Sequence, residues 1–255
     1  MIEQEQIIRM AKSFGNGAHI FVPKEWAGEQ ILVIKPQKKG IRERILSEIE
    51  PYLDSIIGVY LYGSYARGEQ KEDSDIDLFV VTNEKIKIKA KGFEIVSLRG
   101  EDIEKAIEIE PVLMYSIFSE AKAIINSRLI EELKVRYKPK LKDFEEFIKY
   151  SKGMIKVSED SLKSETKLSL SGEAVIYSLV LRLRGLFIIK SILSGKQYSH
   201  KLFRSWIKFE LPEIDFSSIY DAYRTSKNDK KIKQKIKVED IKILLEFLKN
   251  ELLKM

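Results

Sequence analysis

The sequence predicts an α+β chain in three parts: a small β unit over residues 1–36, a sheet-and-helix domain over 41–137, and an all-α bundle over 139–255. Three observations predict it. Two apolar runs with strand character, 58–62 and 76–81, bracket a polar segment that opens on Gly63-Ser64 and closes on Asp75-Ile76-Asp77. Two breaker-bearing stretches, 36–40 and Lys138-Pro139-Lys140, offer little to bury and mark boundaries. Beyond the second, the composition reads as helix, interrupted only by Gly153, Gly172, Gly185, Gly195 and Pro212.

In chain order, residues 7–12 and 18–23 have strand character, and Gly15-Asn16-Gly17 between them tolerates the positive φ of a turn. Residues 24–28 form a turn, and the apolar run 30–34 is a third short strand. Ile41, Ile45, Leu46, Ile49 and Leu53 recur at helical spacing, predicting a helix that ends toward Ser55. After the central segment, lysines and apolar residues alternate over 85–91 as an exposed edge strand or a charged loop. Residues 93–98 form the next strand. Short helices over 101–108 and 111–118, a strand over 121–126 and a helix over 128–135 close the α/β part. The bundle is expected over 141–157, 171–194, 199–209, 215–227 and 237–253, with 158–169 as a polar helical connection.

At 255 residues and 44% hydrophobic content the chain can bury a sizeable core. No apolar run approaches the ~20 residues a membrane span needs, and the start lacks a basic segment followed by an apolar one, so the expectation is a cytoplasmic protein without membrane contact. The absence of cysteine excludes disulfides and thiolate metal sites, and two isolated histidines, His19 and His200, argue against a histidine-rich one. Any metal is therefore held by oxygen. A net charge of +6 suits a polyanionic partner, but charges of both signs are interspersed, and basicity discriminates weakly.

The chemistry is concentrated between Gly63 and Glu94. Alternation along a strand puts Asp75 and Asp77 on one face, about 6.6 Å apart. Mg²⁺ prefers carboxylate and phosphate oxygens, so Asp75 and Asp77 can complete its shell together with a phosphate-bearing ligand. Gly63 lets the backbone approach the phosphates, while the Ser64 hydroxyl, the following amides and Arg67 donate to them. Glu94 interrupts an apolar run, which is costly for a carboxylate unless a cation compensates it or the edge is exposed. It is the candidate third metal-site carboxylate, and equally a candidate general base. Arg182 and Arg184, with Tyr177 and Tyr198, either line an interdomain cleft or pack with snorkelled tips. The basic cluster 227–237 is a solvated connection by default and an RNA-backbone contact as the sharper reading.

The strings Leu61-Tyr62-Gly63-Ser64-Tyr65-Ala66-Arg67-Gly68 and Ser74-Asp75-Ile76-Asp77-Leu78 resemble the core of the minimal nucleotidyltransferases, within the DNA polymerase β-type superfamily; only Tyr62 replaces the usual phenylalanine. The resemblance implies a nucleotidyltransferase fold that uses ATP or another NTP with Mg²⁺ or Mn²⁺. Transfer of NMP, AMP in the leading case, would be to a hydroxyl of a protein, an RNA or a small molecule. Residues 141–255 are similar to HEPN domains, through 174–190, 195–203 and 220–226. Ribonuclease members carry arginine and then histidine four to six residues later; no histidine follows Arg224, and His200 precedes Arg204, so ribonuclease activity is not expected. A related reading makes the bundle the substrate-binding half, as in aminoglycoside nucleotidyltransferases. Residues 14–26 look like the swapped hairpin of AbrB-type transcription factors, which implies a homo-oligomer and DNA contact; a β extension packed on a neighbour is the preferred reading. Two rival functions accompany the transferase: an antitoxin-like or nucleotide-sensing module that binds a partner without turnover, and a DNA-binding regulator acting through 1–36.

Overall fold

A computed structural model describes residues 11–31, 40–163, 170–227 and 236–255. The chain forms two compact units, Met1–Ile41 and Arg42–Met255.

In the first unit, β1 (Lys12–Phe14) and β2 (Gly17–His19) pair antiparallel across the Gly15-Asn16 turn. The His19 ring sits edge-on to Phe14 at 5.5 Å and to Phe21 at 4.9 Å. The second strand is shorter than expected, since residues 20–23 are not in a strand, and the first extends to Phe14, two residues past its expected end. Most of the expected strand over 7–12, much of that over 30–34 and most of the linker over 36–40 lie outside the described residues.

The second unit begins one residue into α1 (Ile41–Ile49), which buries Ile45 and Ile49, and continues through a 3₁₀ segment over Glu50–Ser55. Its sheet comprises β3 (Ile56–Tyr62), β4 (Ile76–Thr82), β5 (Phe93–Arg99) and β6 (Lys122–Ile125), in the order β5-β4-β3-β6. β3 pairs antiparallel with β4 and β6, whereas β4 and β5 run parallel. Residues 83–92 return the chain to the starting end of β4; they form a loop that buries Ile88, which settles the two readings of the lysine alternation in favour of a loop. The parallel pairing makes β4 and β5 begin side by side.

Between β3 and β4 lies the five-residue helix α2 (Gly63–Arg67). After β5 come α3 (Ile103–Ile109), α4 (Pro111–Glu120) and, beyond β6, α5 (Ser127–Arg136). Proline at the first position of α4 costs no hydrogen bond, because that amide has no partner within the helix. Asn126 adopts φ 60° and caps α5, its side chain accepting from the Leu129 amide at 3.1 Å.

The remaining helices are α6 (Glu145–Leu162), α7 (Leu170–Leu193), α8 (His200–Glu210), α9 (Phe216–Lys227) and α10 (Val238–Leu253). α6 runs five residues past its expected end, because Ile155, Ser158 and Leu162 continue its packed face; residues 164–169 of the expected connection lie outside the described residues. One buried cluster runs from Tyr60 and Phe79 of the sheet through Met114, Tyr115 and Phe118 of α4 to the helices that follow. The Tyr115 hydroxyl donates to Asp143 at 2.9 Å across that junction. Gly185 matters for close approach, since a Cβ there would stand 2.9 Å from a ring carbon of Phe147, so α6 and α7 meet in van der Waals contact. Among the described residues no helix is long and apolar enough to cross a membrane.

Candidate active site

The site grows out of the turn at the end of β3. Tyr62 is the last extended residue, and Gly63 then takes φ +70°, a left-handed value that a side chain disfavours. Space requires glycine as well: a Cβ at Gly63 would lie 2.6 Å from Asp77 Cγ and overlap the carboxylate. Tyr62 and Asp77 are cross-strand partners, so the turn closes directly over that carboxylate. The Ser64 amide donates to Asp77, and the Gly63 amide donates to Glu120 Oε2 at 3.1 Å. These first two amides of the turn are thus committed to carboxylates.

Asp77 faces Glu94 in the β4–β5 register. Partners in a parallel pair project to the same side, and like charges there repel. Burial first, and then the Glu94 charge, push the Asp77 carboxyl up to about 6, against the Ser64 amide, Arg67 and Lys227. Asp75, one residue before β4, is exposed, as is Glu94 on the edge strand. Asp75, Asp77 and Glu94 line one cleft with Gly63, Ser64 and Arg67. The six residues singled out between Gly63 and Glu94 therefore line the same cleft.

Arg67 is more heavily engaged than its sequence position suggests. Its guanidinium pairs with Glu69 at 2.9 Å and with Glu120, and lies 5.2 Å over the Tyr198 ring. Its side chain is 9% exposed. Burial raises the Glu120 carboxyl, opposed by Arg67, by the Ser116 hydroxyl at 3.1 Å and by the Gly63 amide. Glu120 thus braces the same turn that holds Asp77.

The cleft has a volume of about 1600 Å³, and its far wall is helical. α8 and α9 bring Lys201, Arg204, Arg224 and Lys227 to it, and α7 brings Arg184. Arg184 donates to the Tyr198 hydroxyl at 3.1 Å; that hydroxyl and the one of Tyr220 lie 2.9 and 3.0 Å from His200 Nδ1. Arg182, one turn-face away, instead bonds Ser178 under the Tyr150 ring, and Tyr177 stacks on Tyr223. Of the two arginines, only Arg184 lines the cleft.

Burial, followed by Arg184, Arg67 and Arg224, pushes the His200 imidazole down to about 3; Glu69 alone pulls upward. His200 is thus neutral when folded, while the unfolded chain takes up a proton below its ordinary value of about 6.5. Stability from this histidine is complete above pH 6.5 and is lost as pH falls toward 3. Thermal melts at pH 7 and pH 5 should show a loss of roughly 1–2 kcal/mol that shrinks in His200→Asn, whereas an unchanged loss would assign it elsewhere.

The sequence profile described as "Nucleotidyltransferase domain" matches residues 39–198, more than half of the chain. The chain belongs to the nucleotidyltransferase domain family. Among solved structures, it is similar to the spectinomycin adenyltransferase AAD(9) from Enterococcus faecialis, determined with ATP and spectinomycin. That likeness is at 16% identity, with a TM-score of 0.45, and covers 82% of this chain and 96% of the other. No curated protein matches. The matched span contains the turn just described and runs on through α7. Glu69 and Glu120 escaped the sequence reading. Glu120 ends an apolar helix two residues beyond the bound expected for it, and the usable signal was Ser116 four residues earlier on the same face.

Proposed function

We propose that this nucleotidyltransferase moves AMP from ATP, with a divalent cation, onto a hydroxyl of a small-molecule acceptor. The observation that carries the reading is the registered pair Asp77–Glu94, with Asp75 beside it, at the mouth of the Gly63 turn. Its donor set fits a hard cation: three carboxylates, two of them facing each other, concentrate negative charge on one wall. Among the described residues no three His, Asp or Glu side chains already stand as a metal cage. Mg²⁺ requires none, because it takes one or two carboxylates together with substrate phosphates and water. When bound, the cation supplies charge neutralisation for the triphosphate and polarises the attacking hydroxyl.

The chain's own groups account for the rest. Asp75 and Asp77 hold the cation side of the nucleotide, and Glu94 takes the acceptor's hydroxyl proton. The acceptor oxygen forms its bond to the α-phosphorus as the bond to the β-phosphate bridging oxygen breaks, and pyrophosphate leaves. Its charge is met by Arg224 and Lys227; Lys227 is near enough to lower the Asp77 pKa. Arg67 serves the same wall by holding the turn, since Glu69 and Glu120 already engage it. The acceptor is assigned to the other arm of the cleft, where Ile109, Tyr150 and Leu181 are exposed and Glu108, Glu110 and Glu146 add charge.

Transfer of label from α-labelled ATP to a panel of small-molecule acceptors, with Mg²⁺ present, tests the reading. Labelled product from the native enzyme and none from an Asp75→Ala/Asp77→Ala variant supports it. ATP binding without transfer to any acceptor would favour the nucleotide-sensing alternative.

A further inference from the structure

Glu69 follows the left-handed Gly68 that closes α2, and its amide bonds back to the Ser64 carbonyl at 2.9 Å. Its carboxylate reaches across to an element 130 residues away in the chain. Oε1 accepts from the Ser199 hydroxyl at 2.7 Å, and Oε2 accepts from the His200 amide, the first of α8, at 3.2 Å. Oε2 also takes Arg67 Nε at 2.9 Å. A negative charge at the start of a helix suits its dipole, and Ser199 is already the N-cap, accepting from Leu202 N at 3.3 Å. Burial would raise the Glu69 carboxyl, but Ser199, Arg67 and the His200 amide hold it at about 2, so it is ionised at any working pH. Arg67 passes the connection to Glu120, and Glu120 to the Gly63 amide. One hydrogen-bonded path therefore joins the start of α8 to the turn over Asp77, and α8 carries Lys201, Arg204 and Lys208 to the cleft.

We propose that Glu69 is a positioning residue: it fixes the cation-bearing α8 against the Gly63 turn and so sets the spacing between the basic and acidic walls of the cleft. The kinetic consequence rests on the reading of that cleft as the nucleotide site; the spacing itself does not.

The chain has no cysteine, so two introduced cysteines can carry spin labels without background. Arg128→Cys on α5 and Phe209→Cys on α8 are both strongly exposed, at 90% of the side chain and 82% of the residue. The label-to-label distance distribution should be narrow with Glu69 and broader with Glu69→Ala. Ser199→Ala, which removes one bond and leaves Arg67 paired, should broaden it less, and the double variant should match Glu69→Ala. In the same proteins KM for ATP should rise about tenfold in Glu69→Ala with kcat less affected. Unchanged distributions in both single variants would overturn the proposal, whatever happens to the melting temperature. Should Glu69→Ala fail to fold, Ser199→Ala carries the test: broadening supports the tie and an unchanged distribution refutes it. A native enzyme that does not bind ATP would defeat the functional reading while leaving the distances to decide the tie.

Discussion

Asp77→Asn loses nucleotidyl transfer, with kcat at least a thousandfold lower, while the protein stays folded. The substitution keeps a side-chain oxygen to accept from the Ser64 amide and preserves volume beneath the turn. What it removes is the charge proposed to hold the cation side of the nucleotide. The same charge is a burden to the empty fold, because Asp77 is partly buried and opposes Glu94 in register. The melting temperature should therefore hold or rise as activity disappears, a combination that separates a catalytic role from a structural one. Circular dichroism melts beside the labelled-ATP assay measure both. A substantial drop in stability, or activity within tenfold of native, would contradict the assignment.

Gly63→Ala should be nearly as damaging by a different route. The new Cβ would have to displace Asp77, since it would lie 2.6 Å from Asp77 Cγ, and the φ of +70° disfavours any side chain. Misplacing a catalytic group by about 1 Å can cost roughly a hundredfold, and the backbone strain about 1–3 kcal/mol. Gly68→Ala is the natural control. Its φ of +72° is equally strained, but nothing lies within 4 Å of the Cβ position. It should lose comparable backbone stability and keep its activity. Equal activity losses in the two variants would show that strain, rather than the position of Asp77, governs the effect.

Much of the site was legible because its components are local. Gly63, Ser64, Asp75 and Asp77 sit on two adjacent strands and the turn between them, where alternation and breaker residues fix geometry over short range. Glu94 was legible as an oddity, a carboxylate in an apolar run. Its partner was not, because strand pairing is non-local: only the parallel return through 83–92 places Glu94 beside Asp77, and an antiparallel hairpin would have carried it to the other end of the sheet. Arg67 shows the same limit. Its proximity to the Gly63 turn could be read from spacing, but the two carboxylates that engage it come from Gly68's neighbour and from the last residue of α4. Of the basic wall, Arg184 and the cluster beginning at Lys227 could be flagged from sequence, but their convergence with Arg204 and Arg224 required tertiary packing, since the four residues belong to three helices whose relative rotation no local pattern specifies. Most helix bounds followed from periodicity; they failed by several residues where a packed face continued through polar sequence, as it does from Ile155 to Leu162, and where 3₁₀ turns replace the α-helix, at Glu50–Ser55 beyond α1 and at Leu141–Phe144 before α6.

The most direct test of the central claim is a crystal structure of the native protein with Mg²⁺ and a non-hydrolysable ATP analogue. The account predicts a cation held between Asp75, Asp77 and the phosphates, with Glu94 facing the α-phosphorus and the terminal phosphates directed to Arg224 and Lys227. A nucleotide bound away from the Gly63 turn, or one seated there with Asp75 and Asp77 contacting neither cation nor phosphate shell, would contradict it.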